Sequence, residues 1–91
     1  MAKVKVKIYT VLNKGLVKGD FDFEATTVAD VFENLVAKYQ QPFRNEIYDS
    51  GQIKNNYVLL VNGEPVEREN LERVRLKDGD LLLLFPPVSG G

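Results

Sequence analysis

The chain has no cysteine and no histidine. Without cysteine there are no disulfides, thiolate metal sites or thiol nucleophiles. Without histidine the commonest general base and the commonest neutral metal ligand are both missing. Hydroxyl nucleophiles are few as well: Thr10, Thr26, Thr27, Ser50 and Ser89. A hydrolytic triad would need a lysine or carboxylate as its base. The chain is therefore expected to do no chemistry with its own side chains and to hold no metal. Net charge is −1, so no basic footprint for nucleic acid or an anionic membrane stands out. No apolar run approaches the roughly 18 residues that span a bilayer. The alternating start Met1–Lys7 lacks the continuous apolar stretch of a secretion signal. A cytoplasmic chain with no nucleic-acid or membrane partner is the expectation.

What is present is the composition of an ordinary globule: 91 residues, 44% hydrophobic and 27% charged, sufficient for one modest core. Lys3-Val4-Lys5-Val6-Lys7-Ile8 alternates with period two, the mark of a half-buried strand. Val4, Val6 and Ile8 are assigned inward; the lysines and, by parity, Tyr9 outward. Turn signals at Asn13-Lys14-Gly15 and Lys18-Gly19-Asp20 bracket a first hairpin, with a second strand over Phe21–Glu24. Thr27 opens a helix, with Asp30 three residues on as a near capping box. Val28, Val31, Phe32, Leu35, Val36 and Tyr39 form its apolar stripe, and Pro42 bounds it.

Residues 41–56 are the least regular. Phe43, Ile47 and Tyr48 suggest one short helical turn, and Asp49-Ser50-Gly51 a turn. Tyr57–Val61 reads as a third strand, Asn62-Gly63 as a two-residue hairpin turn, and Pro65 confines the return strand to a short piece at an edge. Leu71 and Val74 anchor a helical turn. Lys77-Asp78-Gly79-Asp80 then feeds the last strand, Leu81–Phe85, apolar on both faces and so placed at the sheet's centre beside the first strand, parallel to it. The sum is an α+β chain with a β-grasp architecture: a mixed sheet of about five strands, one main helix and a C-terminal tail. Residues 1–85 are expected to form the domain and 86–91 the flexible tail.

That tail is Pro86-Pro87-Val88-Ser89-Gly90-Gly91. The prolines end the sheet and stiffen an extended arm. Terminal glycines have no Cβ, so their backbone can enter a slot too narrow for side chains. The arm thus offers a partner one reactive group, the α-carboxylate of Gly91. Gly90 keeps the entrance slim, and Ser89 is a small polar spacer. Phe85, Tyr9 and, more weakly, Pro65 are expected to form an apolar docking patch at the arm's root.

Asp78-Gly79-Asp80, the short apolar strand and the Phe85–Gly91 ending resemble the small subunit of molybdopterin synthase, and the element order resembles the wider ubiquitin-like sulfur-carrier family. The resemblance implies a division of labour. An E1-like adenylyltransferase uses ATP to adenylylate Gly91. A persulfide-bearing sulfurtransferase then supplies the sulfur of a terminal thiocarboxylate. The large synthase subunit receives the arm in a heterotetramer, where the sulfur builds the molybdopterin dithiolene. ATP and any metal belong to the partners, and this chain binds no cofactor of its own. The alternatives are a modifier joined to lysines through Gly91, and a carrier for thiazole or another sulfur metabolite.

Overall fold

The computed structural model describes residues 1–12, 15–49, 52–54, 57–66 and 68–86, with residues 11, 12, 15 and 16 in backbone only. Two long strands, β1 (Ala2–Leu12) and β2 (Gly15–Ala25), form an antiparallel hairpin. Helix α1 (Val28–Tyr39) follows, then α2 (Gln41–Ile47) and a two-residue pair, β3 (Tyr48–Asp49) with β4 (Gln52–Ile53). β5 (Val58–Val61), β6 (Glu64–Pro65), a 3₁₀ turn over Leu71–Arg73 and β7 (Leu81–Phe85) complete the chain. The main sheet has five strands in the order β2-β1-β7-β5-β6. β7 is central, parallel to β1 and antiparallel to β5, which is the β-grasp arrangement.

Alternation decides the core. Val4, Val6 and Ile8 of β1, Leu82 and Leu84 of β7 and Leu59 of β5 are buried together with Val28, Val31, Phe32 and Leu35 of α1. The α1 start is a full capping box: the Asp30 backbone N–H donates to Thr27 Oγ1 at 3.4 Å, and the Thr27 N–H donates to Asp30 Oδ2 at 3.1 Å. One carboxylate thereby satisfies backbone donors that the first helical turn leaves unpaired.

Three expectations need correction. Lys18-Gly19-Asp20 is not a turn, because β2 runs unbroken through it. Gly19 lies opposite Ile8, and a Cβ there would sit 2.5 Å from Phe21 Cε2 and 2.8 Å from Ile8 Cγ1. The glycine makes room for the neighbouring ring, which is a packing demand and not a turn demand. Secondly, residues 41–53 hold a second helix and a small ladder, more than one helical turn. Pro42 ends α1 yet occupies the first turn of α2, where its missing N–H costs nothing. Phe43 and Ile47, one turn apart, are both fully buried. The joint between the helices is Gln40, with φ of 64° and ψ of −146°, a region ordinarily left to glycine. Thirdly, the third strand begins at Val58. Tyr57 is buried just outside it, its hydroxyl donating to Glu46 Oε2 at 2.8 Å. That uses its only proton, so Thr10 Oγ1, 2.9 Å away, is the donor to the tyrosine oxygen.

The remaining turns follow their local chemistry. Asn62 and Gly63 both have positive φ, the signature of a two-residue hairpin turn. Gly79, φ 88°, closes the turn into β7. No helix among the described residues is long and apolar enough to cross a membrane.

Candidate functional site

The helices cover one face of the sheet and leave the other open. On β1 the open face carries Lys3, Lys5, Lys7 and Tyr9, all exposed. On β7 it carries Leu81, Leu83 and Phe85, all half-buried. Register turns these into rows. Lys7 pairs with Leu83, Leu83 with Leu60, and Leu60 with Pro65. Phe85 pairs with Val58, and the β1–β7 register continued by one residue sets Tyr9 beside Phe85. Residues opposite one another on adjacent strands share a face, so both rows form one surface.

The expected docking residues are therefore brought together in part. Tyr9, 36% exposed, and Phe85 adjoin at the root of the arm. Lys18 Nζ stands 5.9 Å from the Tyr9 ring centroid. Pro65 is exposed at the end of the neighbouring row, reached from Phe85's strand through Leu83 and Leu60. Pro86 follows Phe85 directly and is half-buried. Pro87, Val88, Ser89, Gly90 and Gly91 lie outside the described residues.

Sequence reasoning missed Val58, Leu60 and Leu83 as members of the patch. Parity with Phe85 is enough to put Leu83 on the open face. Val58 and Leu60 lie in a run that is apolar on both faces, so alternation could not assign their side; only register could. The result is an open sheet face with lysines and carboxylates over β1 and β2, and apolar side chains over β7, β5 and β6.

The base of β7 is pinned at its other end. Asp78 Oδ1 accepts the Lys3 backbone N–H at 2.8 Å, and the Gly79 N–H donates to the Lys3 carbonyl at 2.9 Å. Asp80 accepts from Asn62 Nδ2 at 2.9 Å and from the Lys77 N–H at 2.8 Å. The Asn62 and Lys77 donors hold the Asp80 carboxyl below its usual range, since they favour the charged form. Asn62 Oδ1 in turn accepts the Leu81 N–H at 2.9 Å. The Asp78-Gly79-Asp80 motif is thus a clamp that sets where β7 enters the sheet, not a reactive group.

No cluster of three or more potential metal ligands occurs among the described residues. A concavity of about 530 Å³ lies over Lys3, Lys5, Asp22, Glu24 and Gly79, on the charged half of the open face and away from the arm's root. What the described residues offer is an apolar surface at the point where β7 ends, at Phe85 and Pro86.

The chain is similar to known proteins in sequence and in fold. The chain is 35% identical over 65 residues to small archaeal modifier protein 3 of Haloferax volcanii, covering 71% of this chain and 70% of the relative. The crystal structure of small archaeal modifier protein 1 from Haloferax volcanii superposes with a TM-score of 0.64 at 30% identity, covering 99% of this chain and 100% of that one. The solution structure of small archaeal modifier protein 1 from Methanosarcina acetivorans gives 0.65 at 30% identity, covering 100% of this chain and 98% of that one. Residues 14–91, including the Gly-Gly ending, match the ThiS family. With its β-grasp sheet, its central last strand and this match, the chain belongs to the ThiS family of ubiquitin-like sulfur carriers and small modifiers.

Proposed function

We propose that this protein carries sulfur on its C-terminal glycine and donates it, as the small subunit of molybdopterin synthase, to build the dithiolene of the molybdenum or tungsten cofactor. The observation that carries the reading is the placement of β7. A central strand, clamped at its base, ends at Phe85 and Pro86 beside an open apolar patch. The Pro86-Pro87-Val88-Ser89-Gly90-Gly91 context supports the synthase over other carriers. A free carboxylate is anionic at neutral pH and a poor acyl donor. An E1-like partner would let the Gly91 carboxylate attack the α-phosphorus of ATP, expelling pyrophosphate. A persulfide sulfur would displace AMP from the acyl carbon, and a thiol would reduce the acyl disulfide to the thiocarboxylate. The apolar patch at the arm's root would seat against the E1-like partner and against the large synthase subunit in turn, so that the two compete.

A second reading is that Gly91 is joined to lysines of other proteins. It is favoured by the modifier proteins among the relatives. The intact mass of the protein from its own host separates the two. Sulfur transfer predicts the gain of one sulfur for one oxygen, confirmed by a thiol-selective reagent because oxidation mimics the mass. Conjugation predicts higher-mass adducts that, after trypsin, carry the 78–91 segment on lysine, because Lys77 is the last basic residue before Gly91. Deletion of Gly91 is expected to abolish ATP–pyrophosphate exchange by the activating enzyme and to leave the thermal melt unchanged. Normal exchange by the truncated chain would refute both readings.

A further inference from the structure

The two edges of the sheet are built differently. β6 is two residues long and ends in a proline, which has no N–H to offer a further strand. β2 is eleven residues long, pairs with β1 on one side, and has no ladder partner on its other side among the described residues. Its two faces differ sharply. Asp20, Asp22 and Glu24 are exposed on the open face. Phe21 and Phe23 are half-buried on the helix side, stacked with centroids 5.3 Å apart, and Tyr39 of α1 meets Phe21 edge-on at 6.1 Å. The helix therefore leaves part of this aromatic pair uncovered beside a free edge.

The paired edge of β2 displays what these side chains accept. Across from the carboxylates stand lysines: Lys7 opposite Asp20, Lys5 opposite Asp22, Lys3 opposite Glu24. Across from the rings stand valines: Val6 opposite Phe21, Val4 opposite Phe23. Cross-strand opposite charges and aromatic–β-branched pairs are both stabilising. The free edge presents the same side chains to its other side. A second copy of β2 is a poor occupant. Antiparallel pairing that overlaps Phe21 with the copy's Phe21 sets Asp20 beside Asp22, and overlap with the copy's Phe23 sets Asp20 beside Glu24.

We propose that the free edge of β2 takes an extended segment of a partner protein, alternating basic and β-branched apolar residues, as an added sheet strand. Backbone hydrogen bonds supply the attachment, and the carboxylates and phenylalanines select the sequence. β1 lies between this edge and the Phe85 end of β7, so the two sites can be occupied together. The added strand does not depend on sulfur transfer.

The test uses the full ¹⁵N-labelled chain and two end-blocked peptides, one with the pattern Lys-Val-Lys-Val-Lys and one with Glu-Val-Glu-Val-Glu. The lysine peptide is expected to shift the amides of residues 17–25 and slow their hydrogen exchange, and to bind about fivefold or more tightly than the glutamate peptide. In the double variant Asp20→Asn, Asp22→Asn that preference is expected to fall to about twofold or less. The comparison of peptides on the unaltered chain stands whatever the variant does to folding. Equal binding of the two peptides, shifts without slowed exchange along β2, or no binding at millimolar concentration would each overturn the proposal.

Discussion

The two faces of β7 carry nearly the same residues in different surroundings. Leu82 and Leu84 have no exposure beneath the helices. Leu81, Leu83 and Phe85, on the alternate positions, remain half-buried on a face that no helix among the described residues covers. One face joins the strand to the core and the other leaves apolar surface partly open to solvent. Five apolar residues in a row thus serve two purposes, separated only by the pleat. An apolar residue on the open face of a sheet is tolerated singly. Here it is clustered with Tyr9, Val58, Leu60 and Pro65, and such a cluster is the basis of the proposed docking surface.

The sharpest way to break this comparison is to truncate one leucine on each face. Leu82→Ala should cost about 2–5 kcal/mol, the range for a buried leucine whose cavity closes only in part. Leu83→Ala should cost less, about 1–2 kcal/mol, since part of the side chain already meets water and no closed cavity is left. Urea melts of the two variants check this, and equal losses would show that the open face is a second core.

Gly19 tests whether the helix side is packed as tightly as its contacts imply. Gly19→Ala places a methyl against the Phe21 ring and Ile8, and is expected to cost about 1–3 kcal/mol through overpacking. A neutral result would mean that the half-buried Phe21 ring swings aside freely at the β2 edge. Denaturant titration gives the stability, and the near-ultraviolet circular dichroism reports the ring.

Phe85→Ala addresses the open face directly. Its expected effect is on association, about 1–3 kcal/mol weaker binding to the activating enzyme and to the large synthase subunit, with little change in melting temperature. Calorimetric titration against each partner, set beside a thermal melt, checks both halves. A large fall in melting temperature with unchanged affinity would move Phe85 from the recognition face to the core.

The smallest effect is at the strand's base. The Asp80 carboxyl is held below its unfolded value, so its contribution to stability is present above that value and is lost as pH falls through the folded-state value. Because Asp80 is close to solvent, Asp80→Ala should cost about 1 kcal/mol or less at neutral pH. The gap between variant and parent should narrow as the solution is acidified below the ordinary carboxylate range. A gap that stays constant with pH would assign the loss to packing and not to the Asn62 and Lys77 hydrogen bonds.

Much of this protein was set by local chemistry that can be read along the chain. The Lys-Val alternation of β1, the Thr27 and Asp30 cap, the Asn62-Gly63 turn and the apolar run of β7 each depend on neighbours within a few residues. Together they identified the β-grasp and put Tyr9 and Phe85 on one face. The rest depended on partners distant in sequence. Gly19 had the look of a turn until Ile8 and Phe21 showed why a side chain would not fit. Pro42 marked an end, but the burial of Phe43 and Ile47 against the core made it also a beginning. Val58 and Leu60 joined the apolar patch of the open face only because pairing with Phe85 and Leu83 chose their side. A run apolar at every position has no period from which to choose a face, and hydrogen bonding to the next strand makes the choice.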